Sequence, residues 1–217
     1  MVNIDGCYFP DNLKYDEDLK LWFKIDNLKL TLGITSVYSW YIGKINKIRY
    51  VRNKGLLEEN KNLCIIESIK RIEPIRLPFM VEILSINEDI IENPKLLNNY
   101  NYEKGWIAIV RPVQPDYLNF LYDLNQLKVE EKVKNMQTKC FKMIPDITLY
   151  EIGTECAAVI TKLNEMMNKL STDSVVMLVS DDPTAYVEII RWTDQTKNVL
   201  VDYRKEKEIW YFILKKA

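Results

Sequence analysis

Between Leu21 and Val110 the chain repeats one pattern six times: a short run of β-branched and aromatic residues, then a few turn residues. The runs are LWFKI, LKLTLGIT, KINKIRYV, LCIIESI, MVEILSI and GWIAIV. At this spacing they predict an antiparallel β domain. Glu88 to Leu97 (EDIIENPKLL) has an acidic start and a proline after Asn93, which reads as a turn followed by a short helical turn. In Pro115 to Leu127 apolar residues stand at 117, 118, 120, 121, 124 and 127. That spacing, with Pro and Asp at its start, predicts a helix packed on the sheet.

The pattern then changes. Residues 129 to 145 hold four Lys against two Glu, show little apolar periodicity and end in a proline, so a linker is placed there. Beyond it the segment ITLYE reads as a strand. A helix follows from about Cys156 to Leu170, with Val159, Ile160, Leu163, Met166, Met167 and Leu170 on one face. After the strand VVMLV, Asp182-Pro183 reads as a helix start, with Asp182 as N-cap and Pro183 at the first helical position. That helix ends near Trp192, and the strands NVLVDY and IWYFIL flank a charged RKEKE turn. The expected organisation is a β domain at 1–128, a linker at 129–145 and a two-layer α+β (βαβαββ) sandwich at 146–217.

Composition narrows the chemistry. Of 217 residues 47% are apolar and 28% charged, and 30 basic against 31 acidic residues leave a net charge of -1. Nothing in that balance draws the chain to nucleic acid or to an anionic membrane. With no histidine in the sequence, His-dependent triads and HExxH zinc sites are excluded. The cysteines at 7, 64, 140 and 156 have no CxxC spacing, and MVNIDGCYFP lacks the layout of a secretory signal. Reduced thiols and a cytoplasmic location are therefore expected. Apolar runs such as Val175 to Val179 are far shorter than the roughly 20 residues that span a bilayer.

Residues Leu32 to Pro112 resemble the H protein of the glycine cleavage system, a lipoyl carrier. LGIT at 32–35, Ile42-Gly43 before a strand, and Glu67-Ser68-Ile69-Lys70 for the family's ESVKA carry the likeness. So do Pro78, Asn87-Glu88, Glu92-Asn93-Pro94-Lys95-Leu96-Leu97 and Tyr102-Glu103-Lys104-Gly105-Trp106, the last for the family's YGxGW. The resemblance covers roughly 13 to 127. It implies a lipoyl-type flattened β-barrel or sandwich with a C-terminal helix, and lipoate in amide linkage to Lys70 on a stiff hairpin. Glu67 and Ser68 would shape that hairpin for the lipoate ligase or lipoyl synthase system. Two positions depart from the family: Arg71 stands where Ala is usual, and Val81 where Gly is usual.

Leu149 to Ala217 resembles the TusA family of sulfur carriers. LYEIGTEC at 149–156 matches L-D-x-x-G-x-x-C, and VVMLVSDDPTA at 175–185 matches the later Asp-Asp-Pro cap. The resemblance makes Cys156 the persulfide candidate, and a helix N-terminus favours a thiolate. The Pro-x-Pro that follows the cysteine in the family is absent, since Ala157-Ala158-Val159 stands there. Cys64 reads as core, Cys7 as terminal, and Cys140 as linker or accessory thiol. Together the two likenesses imply a carrier without turnover of its own that passes sulfane sulfur in dissimilatory sulfur metabolism. Its partners would be a heterodisulfide-reductase-like complex or other sulfur-transfer proteins. The alternatives are a glycine-cleavage H protein with an appended domain, and a non-catalytic adaptor with a vestigial thiol.

Overall fold

Alternation along the runs of the first domain gives each strand one apolar side, and the strands pair so that those sides meet. The computed structural model describes residues 2–217, and the chain divides into two units between Cys140 and Phe141. In the first unit Val2–Ile4 (β1) and Cys7–Phe9 (β2) form a hairpin, followed by Lys14–Tyr15 (β3), Leu21–Asp26 (β4) and Lys29–Ile34 (β5). The helix Ser36–Ile42 (α1) leads to Ile45–Tyr50 (β6), Gly55–Leu57 (β7), Asn62–Ser68 (β8), Ile72–Arg76 (β9) and Val81–Ile86 (β10). Two single-turn helices, Asp89–Glu92 (α2) and Leu96–Asn99 (α3), precede Trp106–Pro112 (β11), and Val129–Asn135 (α4) comes last.

A six-stranded antiparallel sheet, β3-β4-β5-β11-β10-β7, faces a three-stranded one, β6-β8-β9. Phe23, Leu32, Ile83 and Val110 from the first meet Ile48, Ile66 and Ile75 from the second in one buried cluster. This is the flattened sandwich expected. A second cluster gathers Phe9, Tyr15, Trp22, Val37, Val129 and Val133. The six predicted runs are β4, β5, β6, β8, β10 and β11. Strand β9 escaped notice because Pro74 sits inside it, which an edge strand tolerates. Val81 lies fully buried in the regular ladder of β10, paired to Leu57 and Pro112, and its φ is not positive, so the lost glycine leaves no strain there.

Three expectations need correction. Pro115 to Leu127 is not a packed helix: it forms the 3-10 segments Pro115–Phe120 and Leu124–Gln126, with no buried residue in either. Tyr122 between them bridges to Tyr15, and Asp123 starts the second segment with its own capping box, so helical hydrogen bonding cannot run through. The C-terminal helix of this unit is instead α4, inside the stretch expected as linker, and it buries Val129 and Val133. The cysteines are also not all free thiols. Cys7 and Cys140 form a disulfide, and both are buried. Neither a terminal thiol nor an accessory one remains at those positions.

The second unit is a mixed sheet with helices. Ile147–Glu151 (β12), Cys156–Lys169 (α5), Val175–Ser180 (β13), Ala185–Thr196 (α6), Val199–Glu206 (β14) and Ile209–Lys215 (β15) follow in order. The sheet order is β12-β13-β15-β14, with β12 parallel to β13 and the rest antiparallel. Leu163, Met167, Ile189 and Trp192 from the helices bury against Val176, Leu178, Phe212 and Leu214. Lys216 Nζ caps the end of α5 by donating to the Met167 and Leu170 carbonyls at 2.7 and 2.5 Å. The RKEKE turn is tighter than expected, because β14 runs to Glu206 and only Lys207 and Glu208 turn the chain, Lys207 at φ 53°. Residues 141–145 also belong to this unit: Phe141 lies 6.0 Å from the Tyr211 ring, with the Arg204 guanidinium 4.8 Å above it.

Candidate functional site

Strands β8 and β9 are joined by a two-residue-tipped turn, and Lys70 stands at its tip, exposed. Ser68 builds the turn. Its amide donates to the Arg71 carbonyl at 2.9 Å, and its hydroxyl oxygen accepts the amides of Lys70 and Arg71 at 3.3 and 3.0 Å. The same hydroxyl donates to the Ile42 carbonyl at 2.7 Å, and the Ile69 amide donates to the Lys44 carbonyl at 3.0 Å. The hairpin tip is thereby fastened to the corner where α1 ends. Glu67 does different work: it pairs with Arg49 on the neighbouring strand at 2.7 Å, a surface bridge of small energetic value.

That corner is itself clamped. Gly43 caps α1 at φ +86°, a conformation L side chains rarely adopt, and a Cβ there would stand 3.1 Å from Lys70 Cδ. The lysine stem therefore lies close against Gly43, and a Cβ there would push it aside by a few tenths of an ångström. Asn98, on α3, holds the corner from behind: its Oδ1 accepts the Ile45 amide at 2.8 Å, and its Nδ2 donates to Ser39 Oγ at 2.9 Å and the Gly43 carbonyl at 3.2 Å. Covering of the stem, and then the charge of Arg71, hold the Lys70 amine below its ordinary pKa. Among the described residues no carboxylate pairs with it. An exposed amine on a braced turn suits amide linkage to a carboxylic cofactor. Gly43 and Asn98 were not singled out from sequence as parts of this site, although Ile42-Gly43 before a strand and the residue just after Asn93-Pro94-Lys95-Leu96-Leu97 mark their positions.

Beside the return strand β9 lies a cleft of about 620 Å³ lined in part by Asp16, Tyr38, Glu73 and Arg76. Tyr38 donates to Glu73 Oε2 at 2.9 Å. Burial pushes the Asp16 carboxyl up to about 7, against the Leu21 amide it accepts and with the charge of Asp18 adding to the rise.

In the second unit Cys156 is the first residue of α5, and its thiol is buried. Asp182 joins the starts of both helices. Its Oδ2 accepts the Cys156 amide at 2.9 Å, and its Oδ1 accepts the Thr184 amide and hydroxyl at 2.7 and 2.6 Å. Asp182 is thus not the N-cap of α6, a place held by Thr184 two residues further on. Gly153, at φ +72°, donates its amide to Asp181 at 2.8 Å. The thiol of Cys156 is raised above its ordinary pKa by burial, then by the charges of Asp182 and Glu188, with a Thr184 hydrogen bond opposing. The expectation of a thiolate favoured by the helix start is reversed here. Cys64 is fully buried in β8, and burial raises its thiol as well. Among the described residues no cluster could hold a metal, and no helix is long and apolar enough to cross a membrane.

Comparison with known proteins matches both units separately. Residues 13–136 match the sequence model of the glycine cleavage H-protein, and residues 148–216 that of sulfurtransferase TusA. A glycine cleavage system H protein of Prochlorococcus marinus (strain MIT 9515) is 33% identical over 120 residues, 55% of this chain and 92% of its own. The glycine cleavage system H protein 5 of Aquifex aeolicus (strain VF5) is 33% identical over 122 residues, 54% of this chain and 81% of its own. A crystal structure of a glycine cleavage system H protein from Mycobacterium marinum covers 54% of this chain and 94% of its own, at a TM-score of 0.48 and 19% identity. Proteins of the first family carry a lipoate on a lysine. With the first match spanning more than half of the 217 residues, the chain belongs to the glycine cleavage H-protein family and carries a TusA-like sulfur-carrier domain behind the lipoyl-carrier domain.

Proposed function

We propose that Lys70 is the lipoate attachment site and that the protein is a carrier of sulfane sulfur in dissimilatory sulfur metabolism, with a heterodisulfide-reductase-like complex or other sulfur-transfer proteins as partners. The observation that carries this reading is the exposed Lys70 at a turn braced by Ser68 and the Gly43 corner. It stands in the same chain as a domain matching a sulfur carrier. A lipoyl group bound there supplies a dithiol on a long flexible arm. Ser68 and Gly43 keep the root of that arm still, so that the motion resides in the arm. Glu67 holds the hairpin flank through Arg49. Cys156 would take sulfane sulfur from a persulfidic donor: its thiolate bonds to the terminal sulfur, the donor S–S bond breaks, and the donor departs as a thiolate, with no net oxidation.

The raised, buried Cys156 thiol favours a second reading, in which the second domain is an adaptor with an inert cysteine. A glycine-cleavage H protein with an appended domain draws on the same hairpin. Intact mass of the protein from its host, with peptide mapping around Lys70, tests attachment. A lipoyl adduct on Lys70 is expected. An unmodified Lys70 in a host that lipoylates other proteins sinks the carrier reading. Equal sulfur loading of the wild type and Cys156→Ser would leave the adaptor.

A further inference from the structure

We propose that Arg71 is the recognition residue through which the lipoate-attaching enzyme reads this hairpin, its guanidinium meeting a carboxylate on that enzyme. The inference rests on Lys70 being the attachment site and adds what selects it. An enzyme that acylates Nζ must bring an activated carbonyl within bonding distance of the hairpin tip. The next residue, one Cα step of about 3.8 Å away, then lies inside its footprint.

Arg71 is arranged for that contact. Its backbone closes the turn on Ser68, while its exposed side chain carries the guanidinium over the Tyr41 ring at 4.2 Å. Tyr41 stacks in turn on Tyr38, with ring centroids 6.2 Å apart and an interplanar angle of 21°, and Tyr38 is held by Glu73. A stacked guanidinium keeps its planar fork available for a carboxylate and has already lost most of its rotamer freedom. No carboxylate of the described residues occupies it. On either side Ile69 and Ile72 are 45% and 69% exposed, an apolar rim that would exclude water from the pair.

The turn itself does not need this side chain. Its hydrogen bonds use only the Arg71 backbone, and the motif the hairpin resembles has alanine at this position. In the attachment step the neutral Nζ bonds to the carbonyl carbon of a lipoyl adenylate. The C–O bond to phosphate breaks, AMP leaves with the electron pair, and the proton of the amine goes to solvent. Nothing is oxidised.

The test loads the full unmodified chain with lipoate, ATP and the lipoate ligase of its host, following intact mass and mapping the modified peptide. Arg71→Ala should raise KM for the carrier about tenfold with kcat little changed, Arg71→Glu should raise it further, and Arg71→Lys should fall between. The KM of the wild type should rise with salt more steeply than that of R71A. An unchanged KM and salt slope in R71A, with the wild type loaded at Lys70, would overturn this inference alone. A wild-type chain that takes no lipoyl group at Lys70 would overturn the carrier reading and this inference with it.

Discussion

At the residue scale, two acidic environments set measurable behaviour. Cys156 begins a helix, yet its own amide is occupied by Asp182 and its sulfur is buried near Asp182 and Glu188. The thiol form therefore dominates at neutral pH. Among the described residues Glu188 pairs with Arg191 alone, on the surface of α6, so Glu188→Gln removes one of the charges at little structural cost. Alkylation of Cys156 at pH 7.5 should speed up a few-fold, because removing that charge lets the thiol ionise more readily. An unchanged rate would leave burial and Asp182 as the sole controls. Asp16 behaves differently because its folded pKa, about 7, lies above the ordinary carboxylate value. Between those two pKa values the folded state binds the extra proton, so stability is greatest at the acid end and falls as pH rises from about 4 to about 7. Asp16→Asn keeps an oxygen for the Leu21 amide and should flatten that slope in urea unfolding; the same slope in the variant would assign it to other groups.

At the element scale, the disulfide ties the hairpin β1–β2 to the end of the segment after α4, across 133 residues. Closing so long a loop removes unfolded-state freedom worth about 2–5 kcal/mol. Cys7→Ser with Cys140→Ser should lose that much in denaturant unfolding, and the wild type in strong reductant should match the variant. Equal stability of all three would mean the bond constrains nothing. This bond was not legible: two cysteines with no motif spacing say nothing of a pairing that the fold alone brings together. Strands with clean alternation and α5, with its single apolar face, were legible. Helix α1 was not, because its Val37, Tyr38, Trp40 and Tyr41 have strand-like composition; only Thr35, whose side chain accepts the Tyr38 amide, and the C-cap Gly43 announce it. In the candidate site, the ESIK run and the position of Lys70 were readable locally. The Asn98 clamp lies 53 and 55 residues from its partners Ile45 and Gly43 and follows only from the packed sandwich.

At the scale of the whole molecule, the stretch expected as a linker is divided between the two units. Helix α4 buries Val129 and Val133 in the cluster that contains Cys7, Phe9 and Trp22, and Cys140 adds both its disulfide and an amide bond to the Asp5 carbonyl at 2.9 Å. On the other side, Phe141 and Ile144 are buried, and Phe141 lies between Tyr211 and Arg204. Low periodicity and four lysines made 129–145 look like solvated chain, but one apolar residue per turn was enough to seat it. A cut at residue 128 would therefore strip two buried valines, each worth about 1.5–3 kcal/mol, together with the disulfide. Since small domains hold only about 5–15 kcal/mol in all, fragment 1–128 should be largely unfolded or aggregated, while 1–140 should fold cooperatively. Circular dichroism and urea titration of the two fragments decide the matter. Equal stability of 1–128 and 1–140 would return α4 to the role of a tether.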